Sequence, residues 1–206
     1  MTLIEKLDIN QTYSDFMEEF LEDQIKLLQS KVKSEFYPPI KKVFKFLIND
    51  PKVVIVGQDP YPSSNRATGT AFAVEKNEQL PQSLEQIIFA LERQFDTNIL
   101  RFDTTLKEWE DQGVMLMNSA LTVRKNDPGS HAGLWAEFVR NLAIYIENNY
   151  KPKWVLLGNR AKNLLEDVLA EERVYLDRHP MANVYSSKDD LFKGDFFKEI
   201  NEIKWI

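Results

Sequence analysis

Asp59, Asn118, Asn159 and His179 are the residues of this chain best placed to do chemistry together. Each stands just past a short apolar run. Val53-Val54-Ile55-Val56 precedes Gly57-Gln58-Asp59-Pro60-Tyr61, and Val114-Met115-Leu116-Met117 precedes Asn118. Trp154-Val155-Leu156-Leu157 precedes Gly158-Asn159, and Val174-Tyr175-Leu176 leads into Asp177-Arg178-His179-Pro180. Four β-branched residues in a row read as a strand buried on both faces, as in a parallel sheet. Gly57 then breaks the strand, and Pro60 and Pro62 stiffen the loop after it. Parallel strands present their carboxyl ends on one edge, where ligands bind in open α/β sheets. A carboxylate at that edge can stabilise a cation or hold a water, and an imidazole can donate a hydrogen bond. An amide offers one acceptor and two donors. The competing reading of the first stretch is a capped turn in which Asp59 accepts backbone N–H groups; that stretch alone leaves both open.

The elements that must position these groups alternate along the chain. Residues 11–36 read as a helix, with Leu21, Ile25, Leu28 and Val32 on one face. Tyr37-Pro38-Pro39 stops it. Ile40, Val43, Phe44 and Leu47 predict a short amphipathic helix, and Asn49-Asp50-Pro51 turns into the first strand. Leu84, Ile87, Ile88 and Leu91 mark the next helix, with Ser83 placed as its N-cap. Further helices are expected at about 133–148, 163–170 and 196–203. Strands alternating with helices predict an α/β fold: a single-domain three-layer sandwich, a central four-stranded parallel sheet with helices on both faces. No repeat, linker or low-complexity segment interrupts the chain, so residues 1–206 read as one domain.

Composition narrows the function classes. Of the 206 residues, 43% are hydrophobic, which fits a globular core. No apolar run is long enough to span a membrane, and the opening residues turn charged at once, so a cytoplasmic protein is expected. With no Cys and only His131 and His179, thiolate and His-rich metal sites are ruled out. The net charge of −6 weighs against holding nucleic acid mainly by charge, though not against a localised basic face. There is no Gly-rich phosphate loop, no dinucleotide fingerprint and no nucleophile elbow.

Several segments together resemble the family 1 uracil-DNA glycosylases. Gly57-Gln58-Asp59-Pro60-Tyr61 is similar to that family's water-activating loop, and Leu116-Met117-Asn118-Ser119-Ala120-Leu121-Thr122-Val123 to its uracil-recognition strand. Ser130-His131-Ala132 with Trp135, the pair His179-Pro180, Tyr37-Pro38-Pro39 with Phe44, and Pro81 with Ser83 also match, in order, from about residue 37 to the end. The resemblance implies removal of uracil from single- and double-stranded DNA, leaving an abasic site, by a monomer that needs no cofactor or metal. A proteinaceous glycosylase inhibitor is among the partners it implies. On this reading Asp59 lies beneath the sugar, where carboxylates stabilise the oxocarbenium-like charge. His179, as a neutral imidazole, donates to the departing base. Asn118 pairs with uracil N3–H and O4, and the Gln58 backbone helps hold the base. Phe72 stacks on it, and Tyr61 fills the space of a thymine methyl. His131 is expected to order its loop rather than act in catalysis.

The chain also departs from the family pattern. Pro62 replaces the usual His after Gln-Asp-Pro-Tyr. After His179-Pro180 the family continues Ser-Pro-Leu-Ser, gripping phosphate and wedging into the duplex; here Met181, Ala182, Asn183 and Val184 take those places. Ser83, Met181, Asn183, Tyr185, Ser186, Ser187 and Lys188 are the expected DNA-contacting set, with Tyr185 or Met181 as wedge and 186–188 on phosphate. Weaker duplex binding is the expectation. The alternatives are a non-catalytic relative that binds DNA or a partner protein, and a small-molecule enzyme acting on a nucleoside or nucleotide.

Overall fold

The computed structural model describes residues 3–7, 9–63, 66–185 and 191–206. A short helix α1 (Leu3–Lys6) and a single 3-10 turn lead into α2 (Ser14–Lys31). The two-residue strand β1 (Phe36–Tyr37) follows, then β2 (Val53–Gly57), α3 (Gln82–Phe95), α4 (Lys107–Glu110) and β3 (Val114–Asn118). The chain continues through β4 (Val123–Arg124), α5 (Ala132–Tyr150), β5 (Lys153–Leu157), α6 (Asn159–Leu165) and β6 (Val174–Asp177). It ends with α7 (Ala182–Tyr185) and α8 (Phe196–Glu199).

The central sheet has the order β3-β2-β5-β6, and every neighbouring pair is parallel. The alternation of side chains along each strand divides the core in two. Val54, Val56, Met115, Met117, Trp154 and Leu156 face the layer containing α2, α5 and α6. Val53, Ile55, Val114, Leu116, Val155 and Leu157 face the layer of α3, α4 and α8. β2, β3 and β5 bury apolar residues on both faces, which is why these stretches are continuous apolar runs; the edge strand β6 is only partly covered, with Leu176 51% exposed. The expected three-layer α/β arrangement is the one observed. β1 and β4 form a separate antiparallel pair. No helix among the described residues is long and apolar enough to cross a membrane.

Several expected boundaries move. Residues 40–47 are not an α-helix: Ile40–Lys42 is one 3-10 turn, continued by i→i+3 bonds to Leu47. α6 starts at Asn159, four residues earlier than its apolar periodicity suggested, because it begins directly at the end of β5. The last helix stops at Glu199, since Ile200 leaves helical geometry (φ −93°, ψ 81°). The tail is instead held by Trp indoles: Trp109 Nε1 donates to the Trp205 carbonyl and Trp205 Nε1 to the Ile200 carbonyl. Ser83 is not an N-cap. α3 begins at Gln82 with Pro81 at the cap position and no side-chain cap, and the Ser83 hydroxyl faces Tyr61.

Candidate active site

The register Gly57↔Asn118 and Leu157↔Asp177 brings the strand ends level. Above them lies a cleft of about 500 Å³, whose lining includes Asp59, Tyr61, Phe72, Ser83, Asn118 and His179. Its floor depends on a missing side chain. A Cβ at Gly57 would stand 2.7 Å from Asn118 Oδ1 and 2.9 Å from Phe72 Cζ. Glycine therefore lets the amide and the ring meet at the end of β2.

Asn118 is 8% exposed, and no hydrogen bond to its amide is formed among the described residues. The amide lines the cleft and is open to it. Phe72 is 7% exposed and holds a left-handed backbone (φ 65°), uncommon for a bulky residue. Its ring lies 5.9 Å from that of His179, tilted by 38°. Tyr61 closes a wall: its hydroxyl donates to the Phe72 carbonyl at 2.9 Å and lies 3.0 Å from Ser83 Oγ. Burial pushes the Tyr61 phenol up to about 12, so it stays neutral. The Gln58 carbonyl is committed to Ser119 Oγ and the Ala120 N–H, which leaves its N–H as the backbone group for a ligand.

His179 is fixed in its tautomer. The Met181 N–H donates to Nδ1 at 3.3 Å, so the ring proton sits on Nε2. Burial lowers the His179 pKa to about 4, and the Arg160 guanidinium acts in the same direction. At neutral pH the ring is an uncharged Nε2–H donor. Asp59 is shielded, its side chain 8% exposed. Burial raises its carboxyl above the ordinary value, opposed by Arg160 and by the Gly129 N–H. Arg160 Nη1 lies 2.8 and 2.9 Å from the two Asp59 oxygens.

Arg160 is the residue that the sequence did not mark. Its neighbour Asn159, expected to converge with the others, is outside the cleft: it is exposed and accepts from Arg178 Nη1 at 3.3 Å. The helical turn at the start of α6 sends position 159 outward and 160 inward. The signal was available only as adjacency to a strand end.

His131 is buried and acts on the scaffold. Its Nδ1 lies 2.9 Å from Thr122 Oγ1, which also accepts the Trp135 indole N–H.

The loop after His179 is clasped at both ends. The Asp177 carboxylate accepts the N–H groups of Arg178 at 2.7 Å, Lys193 at 3.2 Å and Gly194 at 2.7 Å. Asn183, expected on DNA, is instead a brace. Its Oδ1 accepts the Phe192 N–H at 2.7 Å and its Nδ2 donates to Gln86 Oε1 at 3.1 Å. Ser83 likewise is buried against Tyr61 rather than presented at the surface. Met181 lines the cleft, while Tyr185, at the end of α7, is 79% exposed. Ser186, Ser187 and Lys188 lie outside the described residues. Among the described residues no group of three or more His, Asp or Glu is arranged to hold a metal ion.

Fold and site together define a class: a parallel α/β protein with a cleft at the carboxyl edge of its sheet, lined by Asp59, Phe72, Asn118 and His179. Comparison with known proteins is consistent with that class and sharpens it. The model of the uracil DNA glycosylase superfamily matches residues 44–203. The chain is 31% identical over 206 residues to a uracil-DNA glycosylase of Halalkalibacterium halodurans, covering 95% of this chain and 92% of that protein. It is 32% identical over 182 residues to that of Gallid herpesvirus 2, covering 83% of this chain but 56% of the longer viral protein. A mimivirus UNG solved in complex with UGI superimposes with a TM-score of 0.83 at 25% identity, covering 98% of this chain and 86% of that one. The chain belongs to the uracil-DNA glycosylase superfamily.

Proposed function

We propose that this protein hydrolyses the N-glycosidic bond of uracil in DNA, leaving an abasic site. The observation that carries the reading is the Asn118 amide, unpaired among the described residues and lining the cleft beside Phe72. Asn118 Oδ1 accepts uracil N3–H and Nδ2 donates to O4; cytosine presents the reverse pattern at both atoms. Phe72 stacks on the extruded base, a contact worth roughly 1–3 kcal/mol. Tyr61, anchored through its hydroxyl, makes a rigid wall against a 5-methyl group. As the C1′–N1 bond breaks, its electron pair moves into the uracil ring, and the neutral His179 Nε2–H meets the charge developing on O2. Asp59 stabilises the sugar cation from its other side and positions the water that adds to C1′. The cost of flipping is a few kcal/mol, and less for a single strand.

Asp59 and His179 both line the cleft, and nothing favours the non-catalytic alternative. Tyr185 serves as the wedge in duplex DNA, in keeping with its projection from α7, and Ser186, Ser187 and Lys188 are assigned to phosphate contact. With Asn183 committed to the loop, duplex is gripped less strongly than by relatives with a serine-rich loop. The protein acts as a cytoplasmic, single-domain monomer. Its likeness to a mimivirus UNG bound to UGI supports a proteinaceous inhibitor as a further partner.

The test is uracil release from matched single-stranded and duplex oligonucleotides, read as alkali-induced strand breaks, with thymine controls. Wild type cuts only at uracil. Asp59→Asn and His179→Ala each lose on the order of a hundredfold or more, the usual effect of removing a transition-state partner. DNA binding without any uracil release would overturn the assignment.

A further inference from the structure

Arg160 poses a problem for this mechanism. Its Nη1 faces both Asp59 oxygens, at 2.8 and 2.9 Å. A cation there cancels the negative charge that a developing sugar cation needs. It also stands where a water held by both oxygens would stand. A pair fixed in this form would oppose the reaction it borders.

The geometry also offers a way out. The Arg160 side chain is 33% exposed and that of Asp59 is 8% exposed, so the guanidinium is the wet end of the pair. Its other amino group, Nη2, lies against Gly129. A Cβ on that glycine (φ 83°) would come within 2.9 Å of Nη2, so the missing side chain leaves the guanidinium room. Asp59 keeps a second donor, the Gly129 N–H, that does not depend on Arg160. Neither Nη2 nor Nε of Arg160 is hydrogen-bonded among the described residues. A guanidinium is a planar fork that matches phosphate oxygens in pairs.

We propose that Arg160 exchanges partners when DNA binds. In the free protein it holds Asp59 as a neutral pair, which offsets the burial of the carboxylate. A phosphate flanking the flipped nucleotide then takes the guanidinium. Asp59 is left held by Gly129, with its charge and its water-binding face open to the sugar. No bond is made or broken in this step; the guanidinium moves from one anion to another. Arg160 thereby ties the activation of the carboxylate to the arrival of a DNA backbone. This inference rests on the glycosylase reading of the site.

The experiment is a cycle between protein and substrate. Single-turnover uracil release is measured on single-stranded oligonucleotides whose linkages flanking the uracil are either phosphates or neutral methylphosphonates. Wild type, Arg160→Gln and Arg160→Lys are compared. Loss of the flanking charge should slow wild type at least about tenfold more than Arg160→Gln, the value of one charge-assisted hydrogen bond; Arg160→Lys should fall between them. Equal slowing of all three proteins overturns the exchange and leaves Arg160 as a structural partner of Asp59. If Arg160→Gln does not fold, the Asp59 carboxylate 13C shift in wild type is followed while an abasic oligonucleotide is added. Exchange requires that shift to move, and an unmoved resonance refutes it. Failure of wild type to release uracil from the natural oligonucleotide is a separate result, which would defeat the glycosylase reading itself.

Discussion

The neutral state of His179 couples stability to pH by a calculable amount. Burial and the nearby Arg160 guanidinium bring its pKa from 6.5 to about 4. Below pH 6.5 the unfolded chain binds a proton at this residue while the folded chain does not. Stability therefore falls as the pH drops from about 6.5 to about 4, and levels off below that as the folded form also protonates. Between pH 7.5 and pH 4.5 the unfolded state gains roughly two pH units of proton binding that the folded state lacks. At roughly 1.4 kcal/mol per unit, this amounts to about 2–3 kcal/mol. His179→Gln removes the titration and keeps a neutral polar side chain. Urea unfolding of both proteins at the two pH values, followed by tryptophan fluorescence, isolates the effect: other groups titrate in both proteins, so the difference in pH dependence belongs to His179. Wild type should lose about 2–3 kcal/mol more than the variant. Parallel losses would show that the imidazole is not held neutral by its surroundings, and the argument for a neutral donor would fail with it.

Other perturbations test other parts of the site. Gly57→Ala places a methyl 2.7 Å from Asn118 Oδ1 and 2.9 Å from Phe72 Cζ; overpacking should cost about 1–3 kcal/mol in a melt and reduce uracil binding more than DNA binding. Ser83→Ala takes a partner from a largely buried phenol, so a loss of about 1 kcal/mol is expected, with uracil release kept at low temperature. Tyr185→Ala, at a site 79% exposed, should leave stability within about 0.5 kcal/mol while lowering duplex cleavage and sparing the single strand; unchanged duplex cleavage would remove the wedge. Asn183→Ala unpairs the Phe192 N–H and Gln86, and should speed proteolysis between residues 181 and 192 relative to wild type.

The sheet was legible because β2, β3 and β5 are buried on both faces and therefore appear as continuous apolar runs ending at a glycine or a polar residue. Asp59, Asn118 and His179 were legible for the same reason: each lies within three residues of the end of such a run. What escaped were features set by relations distant in sequence. Arg160 lies 101 residues from Asp59, and at the first turn of a helix an arginine reads as solvated. Asn159, one position earlier, had the more suggestive chemistry but points the other way. Asn183 and Ser83 had residue types suited to phosphate, yet the amide closes a loop and the hydroxyl steadies Tyr61. Helices of four residues, such as α4 and α7, are too short for any periodicity to register.

The clasp around Asp177 has an implication for variation. It gathers the N–H groups of residues 178, 193 and 194 onto one carboxylate, and Asn183 joins the loop to Phe192 nearer the tip. His179 lies between the two fastenings, and residues 184–191 lie beyond the outer one. Residues beyond the fastenings can be replaced without transmitting strain to the imidazole. The segment thus behaves as an interchangeable head on a fixed mount. Tips from relatives with other sequences could be grafted between Asn183 and Phe192, changing which DNA is engaged while the chemistry at the strand edge is preserved.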